Sequence, residues 1–377
     1  MPRKRRETLP TGSPELVVML DLGNALLKWI AVDPETLEDV SRGAIPHDLA
    51  RPHEYQFQHA LEVYGGTERK RDLLVFEGAH YIVGGTAEYY AQNRVARIGA
   101  ARFERSYYTP LFLRVMAEIM DELGREEVVI AVRISYASVD TAYRTDQLDL
   151  IKGEFEFQVP CEGNLSARYV NVVDAKHYNE THGGYLAAAL DVDLDGRSFR
   201  RNYVGQSVIV IDVGGSTVTA ITVDGDAVPN LEPAFTYSVA GVGILTSVTQ
   251  LIQSLRHDVA LRDLLKTTTV SQNAMLDALR TGYLTKQGIQ YDIRDHVARA
   301  LAPVLTQVDA AVAKLGGGVG LDACIVTGGG GALVSGYLAE RFPAWRPRVA
   351  YPPAPHMANV FGACQAYRAL QLSKEAI

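Results

Sequence analysis

The chain is poor in the residues that stapled, exported or membrane-spanning proteins are built on. Its three cysteines, Cys161, Cys324 and Cys364, are scattered through 377 residues. An odd number at such spacings suits neither a disulfide framework nor a zinc site, so a reducing compartment, the cytoplasm, is expected. Long apolar runs are missing too. The best one, Leu16 to Val32, is interrupted by Asp21 and Lys28, so it falls short of the roughly 18 apolar residues of a membrane helix. No apolar segment of the signal-peptide kind follows the basic N-terminus, so neither export nor direct membrane contact is expected. Positive charge is in deficit, with 37 Lys plus Arg against 44 Asp plus Glu and a formal net charge of −7. Binding of nucleic acid through bulk charge is therefore not expected. The nine histidines lack metal-ligand spacing; His177 and His182 are five apart, which fits no helical ligand pair.

What is present is enough core for two or three domains: 47% of the residues are hydrophobic. Residues 1–14, with Arg3, Lys4, Arg5 and Arg6, read as a solvated basic tail. Leu16 to Leu20 is a short apolar run rich in branched residues, as in a buried strand. Asp21-Leu22-Gly23-Asn24 is a turn signal, and Leu26 to Val32 reads as the returning strand. The pattern recurs later. Val208 to Ile211 leads to Asp212, then to the turn Gly214-Gly215-Ser216-Thr217, then to a return over Val218 to Val223. Two similar α/β units are the economical reading. Between them lie a hairpin around Glu77-Gly78, a helix over 107–123 with Leu111, Val115, Ile119 and Leu123 on one face, a strand over Val128 to Ile134, and a small-residue helix over 180–190. Asp191 to Gln206 reads as a solvated loop. Helices over 244–257 and 292–315 follow, then a strand, Ala323 to Val326, that runs into Gly328, Gly329, Gly330 and Gly331.

Three glycine-marked turns after three apolar strands are a pattern with chemical content. A phosphate chain needs backbone N–H donors at close range, and glycine lets the backbone approach. A carboxylate at a strand end suits hydrated Mg²⁺, which keeps its waters and takes few protein ligands. Lys28 returns along the second strand and can meet phosphate as a point charge. Gly241-Val242-Gly243, ahead of the helix over 244–257, either presents N–H groups to a phosphate or simply caps that helix.

With these motifs the chain resembles the actin-like ATPase superfamily of actin, Hsp70 and the sugar kinases. Asp21-Leu-Gly23-Asn24-Ala-Leu-Leu-Lys28 resembles the first phosphate motif, Asp212-Val-Gly214-Gly215-Ser216-Thr217-Val-Thr219 the second, and Ile325-Val326-Thr327-Gly328-Gly329-Gly330-Gly331-Ala332 the adenosine motif. Tyr81 to Ala87 and Ala358-Asn359-Val360-Phe361-Gly362 point, within that superfamily, to the ParM-type actin-like filament proteins of bacteria and archaea. The resemblance covers about residues 15–370. It implies an α/β, actin-like (ribonuclease H-like) fold with two domains around a nucleotide cleft: domain I over 15–205, domain II over 206–355, and a C-terminal helix over 356–377 returning to domain I. It also implies ATP, with GTP as the alternative, and Mg²⁺ held through water at Asp21 and Asp212. Lys28 would lie at the β- and γ-phosphates, and Glu180, opening the segment Glu180-Thr-His-Gly183-Gly184-Tyr185, would orient the attacking water. Adenine would be met by a helix around Gly282 to Arg294. The implied partner is the chain itself, in a head-to-tail filament, with a DNA-binding adaptor besides.

The chain departs from the pattern at Thr219, where the ParM-type motif often carries an acid. Asp191-Val-Asp193-Leu-Asp195-Gly196 imitates the start of a calcium loop, but Asn202 stands where the bidentate Glu is required, so calcium is not expected. Two other functions share the fold: a small-molecule kinase, which needs a substrate pocket with a base, and a non-polymerising ATP-gated scaffold.

Overall fold

The computed structural model describes residues 13–23, 25–93, 95, 102–137, 142–161, 164–224, 236–259, 261, 272–286, 288–317 and 319–375. Most of the basic tail, and Asn24, lie outside the described residues. The chain divides into two compact units. The first runs to Glu180 and includes Val192–Arg200 and Ala363–Ile377; the second is Thr181–Asp191 with Arg201–Gly362. Residues 181–191, placed in domain I by the sequence reading, thus group with the second unit.

The first unit is built on nine strands: β1 (Leu16–Leu22), β2 (Leu26–Val32), β3 (Asp39–Pro46), β4 (Leu49–Ala50), β5 (Leu73–Phe76), β6 (Ala79–Val83), β7 (Glu127–Tyr136), β8 (Gly153–Cys161) and β9 (Asn164–Asn179). They form one sheet in the order β3-β2-β1-β7-β9-β8-β5-β6-β4. β1 runs parallel to β7, and β7 parallel to β9. All seven residues of β1 are buried, as expected for a parallel strand covered on both faces. The helices are α1 (Glu54–Tyr64), α2 (Arg105–Glu122) and α3 (Arg144–Asp149). α2 departs from the one-faced helix read from its spacing, because thirteen of its eighteen residues are buried. Its one buried cation, Arg114, is neutralised by Asp72 Oδ1 at 2.9 Å and Glu118 Oε2 at 2.7 Å, which lets a charge sit on a buried face.

α4 (Glu180–Ala189) opens in the first unit and continues in the second. Asp191 to Gln206 contains a hairpin, β10 (Leu190–Asp193) with β11 (Ser198–Arg201), where a loop was read. The second unit carries β12 (Ser207–Val213), β13 (Thr217–Asp224), β14 (Thr236–Ala240), α5 (Ile244–His257), α6 (Gln272–Thr281), β15 (Tyr283–Lys286), β16 (Ile289–Asp292), α7 (Arg294–Lys314), β17 (Ala323–Thr327), α8 (Gly331–Arg341) and β18 (Arg348–Val349). Its main sheet has the order β14-β13-β12-β17-β18, with β12 parallel to β17 and β17 to β18. That is the arrangement of β3-β2-β1-β7-β9 over again. The helix expected around Gly282 to Arg294 is instead the hairpin β15–β16. Leu284, Tyr291 and Tyr283 suit strands, and Gly288 takes a left-handed φ of 78° in the connection. α9 (Ala358–Glu375) ends the chain, and from Ala363 onward it belongs to the first unit. No helix among the described residues is long and apolar enough to cross a membrane.

Candidate functional site

The residues singled out in the sequence fall into two sets, one in each unit. In the first, β1 and β2 pair antiparallel so that Asp21 stands directly across from Lys28. The Lys28 ammonium donates to Asp21 Oδ2, and both side chains are buried. In such surroundings each charge is tolerated because the other is there. The remaining oxygen, Oδ1, accepts from Ser135 Oγ at 2.8 Å. The turn after Asp21 is held from outside: Arg102 Nη2 donates to the Leu22 carbonyl at 2.9 Å, and His47 Nδ1 bonds the Gly23 carbonyl. The His47 Nε2 atom lies 3.0 Å from the Tyr107 hydroxyl.

Glu180 opens α4, in the first turn, where a carboxylate complements the helix dipole. Two residues earlier, the Tyr178 hydroxyl lies 3.4 Å from the Leu20 carbonyl oxygen. Burial raises this phenol well above its ordinary value, and the negative charges of Asp21 and Glu180 raise it further. The phenol thus lies in the field of both acids. Ser135, Tyr178, Arg102 and His47 carry no motif. The one sequence signal for Ser135 was its position just past the apolar run Val128 to Ile134, at the end of a strand parallel to β1.

In the second unit Asp212 ends β12 and is buried. Its register partners are Thr219 on β13 and Thr327 on β17. The turn that follows is closed by the Gly214 N–H, which donates to the Thr217 carbonyl at 2.9 Å. The Gly328 turn folds over the acid, and there glycine is required. Its φ is +84°, and an added Cβ would fall 2.5 Å from the Val213 carbonyl oxygen and 2.7 Å from Asp212 Oδ1. The Gly330 N–H donates to the Val213 carbonyl at 2.9 Å and the Gly331 N–H to the Gly328 carbonyl at 3.0 Å. Gly243 is pressed on the second turn, where a Cβ would meet the Gly215 carbonyl oxygen at 2.6 Å and the Ser216 nitrogen at 2.7 Å. The first two amides of α5 are spent there, Ile244 N–H on the Gly214 carbonyl at 3.1 Å and Leu245 N–H on that of Gly215 at 2.8 Å. The start of α5 therefore braces the second turn. Gly241 and Gly329 border open space. Thr219 Oγ1 lies 3.1 Å from Ser238 Oγ, and the buried Thr327 Oγ1 has no hydrogen-bond partner among the described residues.

His182 stacks on Tyr185 and burial pushes it down to about 4, so it is neutral at neutral pH. Among the described residues no group of three or more His, Cys, Asp or Glu is placed to hold a metal ion. Hydrated Mg²⁺ does not need such a group, since one or two carboxylates acting through its waters suffice. Single buried acids near strand ends, with Gly241 and Gly329 bordering open space in the second unit, fit Mg²⁺ and a polyphosphate.

No protein-family model and no curated protein sequence matches the chain. Solved structures do. An actin-like protein, Alp7A, is 17% identical, with a TM-score of 0.68 over 96% of this chain and 98% of its own. Ta0583, an archaeal actin homolog, is 18% identical, with a TM-score of 0.68 over 96% of this chain and 100% of its own. ParM of Bacillus thuringiensis with AMPPNP is 14% identical, with a TM-score of 0.67 over 95% of this chain and 100% of its own. The chain therefore has the actin-like fold.

Proposed function

We propose that the chain binds and hydrolyses ATP and assembles head-to-tail into an actin-like filament, of the cytoskeletal or DNA-segregating type. The observation that carries this reading is the duplicated hairpin: in each unit a buried strand ends in an acid, Asp21 or Asp212, and turns at glycines beside a parallel strand. Structures with the same fold, Ta0583 in complex with ADP and ParM of Bacillus thuringiensis with AMPPNP, support a nucleotide as the ligand. The two units are, in this reading, the two domains of the fold.

Lys28 exchanges its partner Asp21 for phosphate oxygens, a charge-for-charge replacement. The backbone of Gly23, Gly214, Gly215, Ser216 and Thr217 would line the phosphate chain, with that of Gly241 and Gly243 as further phosphate donors, and that of Gly328 to Gly331 would line the nucleoside side. Mg²⁺, when bound, offsets the charge on the phosphate oxygens. Asp21 and Asp212 would hold its waters, and Glu180 would accept a hydrogen bond from the water that attacks the γ-phosphate.

The test is high-speed pelleting with Mg-ATP, Mg-GTP, Mg-ADP or no nucleotide, with negative-stain imaging of the pellets. Ordered filaments that require a nucleoside triphosphate are expected. Nucleotide binding without assembly over a broad range of protein and salt concentration would move the assignment to a kinase or an ATP-gated scaffold.

A further inference from the structure

The first glycine turn is met by donors from outside its own hairpin. β3 lies antiparallel beside β2 with Pro46 across from Leu26, so the next residue, His47, arrives at the end of the turn. Its backbone N–H donates to the Ala25 carbonyl at 3.0 Å, and its ring Nδ1 bonds the Gly23 carbonyl. Arg102 Nη2 donates to the Leu22 carbonyl at 2.9 Å. The carbonyl oxygens of Leu22, Gly23 and Ala25 are therefore all turned toward protein donors. A carbonyl oxygen only accepts, so Nδ1 carries the proton. In the neutral ring Nε2 then accepts, and the Tyr107 hydroxyl, 3.0 Å away, is its donor. Tyr107 is buried on α2, so the ring is held at both nitrogens.

We infer that His47 is a positioning residue of the first phosphate turn: it ties back the carbonyl oxygens of Gly23 and Ala25, so that neither is presented to an anion. The inference rests on the nucleotide site proposed above and adds to it a residue that none of its motifs contains. Glycine accepts many backbone orientations, and turns of types I and II differ chiefly in the way the central peptide faces. Local sterics at Gly23 therefore do not decide where its carbonyl points; the His47 ring does. The choice matters to a phosphate chain. Backbone N–H groups attract anions, whereas a carbonyl oxygen and a phosphate oxygen repel each other. A flip of the Gly23 peptide would replace the first contact with the second.

Equilibrium binding of a fluorescent ATP or GTP analogue with Mg²⁺, whichever the parent chain binds, tests this beside melting temperatures taken without nucleotide. His47→Ala is expected to weaken binding roughly three- to tenfold, the worth of one neutral hydrogen bond. A merely structural role would lower the melting temperature and leave the binding constant of the folded chain unchanged. His47→Asn carries an amide nitrogen where the ring has Nδ1 and is expected to bind within about twofold of the parent. Tyr107→Phe, which removes only the hydroxyl behind Nε2, is expected to weaken binding less than His47→Ala does. His59→Ala, at an exposed position of α1, is the control and is expected to match the parent. Should His47→Ala fail to fold, His47→Leu, nearer the ring in volume, takes its place. Parent-like binding by the folded variant, or a loss that His47→Asn does not recover, overturns the role of His47 and leaves the nucleotide reading standing. A parent chain that binds neither analogue removes the nucleotide reading and the role with it.

Discussion

The two strand-end acids sit in the same topology and in opposite surroundings. Asp21 faces Lys28 across the hairpin, while Asp212 faces Thr219 at the matching position. On the neighbouring parallel strand, Ser135 donates to Asp21, whereas Thr327, in register with Asp212, keeps a buried hydroxyl with no partner among the described residues. Lys28 and Ser135 bond the two oxygens of the first acid, and at the second the Gly328 turn comes close to Oδ1. One sheet pattern thus carries a charge-paired end and a backbone-lined end. The first can trade its cation for a ligand's negative charge. The second offers close approach and fixed shape.

Breaking each end should give different signatures. The largest effect is expected on turnover: Glu180→Ala should lower ATP hydrolysis by roughly 10²–10⁴-fold with binding nearly intact, and unchanged turnover would remove Glu180 from the mechanism. Lys28→Ala leaves Asp21 buried without its cation and should cost about 3–5 kcal/mol in chemical denaturation. Adding Asp21→Asn to Lys28→Ala should recover much of that loss, and a cost below about 1 kcal/mol for Lys28→Ala alone would show that the pair is solvated. At the other end, Gly328→Ala forces a side chain into the left-handed region and against Asp212, for about 2–4 kcal/mol and lost nucleotide binding; a parent-like melting temperature would mean the turn moves freely.

The pH response comes next. Each unit holds one histidine pushed down to about 4: His177 by burial and then by the positive charge of Arg144, and His182 by burial. The folded values lie below the unfolded value near 6.5, so the unfolded chain takes up protons first as the pH falls. Stability is fully present above about 6.5 and declines toward pH 4, by up to about 1.4 kcal/mol per pH unit for one proton. His177 is the more exposed and contributes less. Thermal melts of His182→Gln should show a flatter decline than the parent over that window; an equal slope would assign the decline to other groups. The smallest effect is expected from Thr327→Val, which removes an unpartnered buried hydroxyl at nearly constant volume and should be neutral or stabilising by about 1 kcal/mol. The matching change at Ser135 should destabilise, and equal effects at the two positions would erase the contrast between the acids.

The pairing of acids with turns was legible in the sequence because branched apolar runs stop abruptly at Asp-x-Gly. The actin-like fold was implied by a resemblance carried by these two turns, in order with the Gly328 to Gly331 turn. The long β8–β9 hairpin was not read, although Glu154-Phe155-Glu156-Phe157 alternates with the period of a half-buried strand; the strands read were continuous apolar runs. β15 and β16 are four residues each, too short for a period to distinguish strand from helix. Ser135 and Tyr178 were invisible for a different reason: sheet register brings them to Asp21 and Leu20 from 114 and 158 residues away.

α9 has a consequence for the order in which the molecule is made. Arg368 Nε donates to the Leu37 carbonyl at 2.8 Å and Arg368 Nη2 to Asp39 Oδ1 at 2.7 Å, the former across 331 residues of sequence. The first unit is therefore completed by a segment that follows the second unit in the chain. During synthesis the second unit can emerge and fold while the connection beside β2 and β3 still waits for Arg368, so a nascent chain passes through a stage in which its first-made unit is the unfinished one.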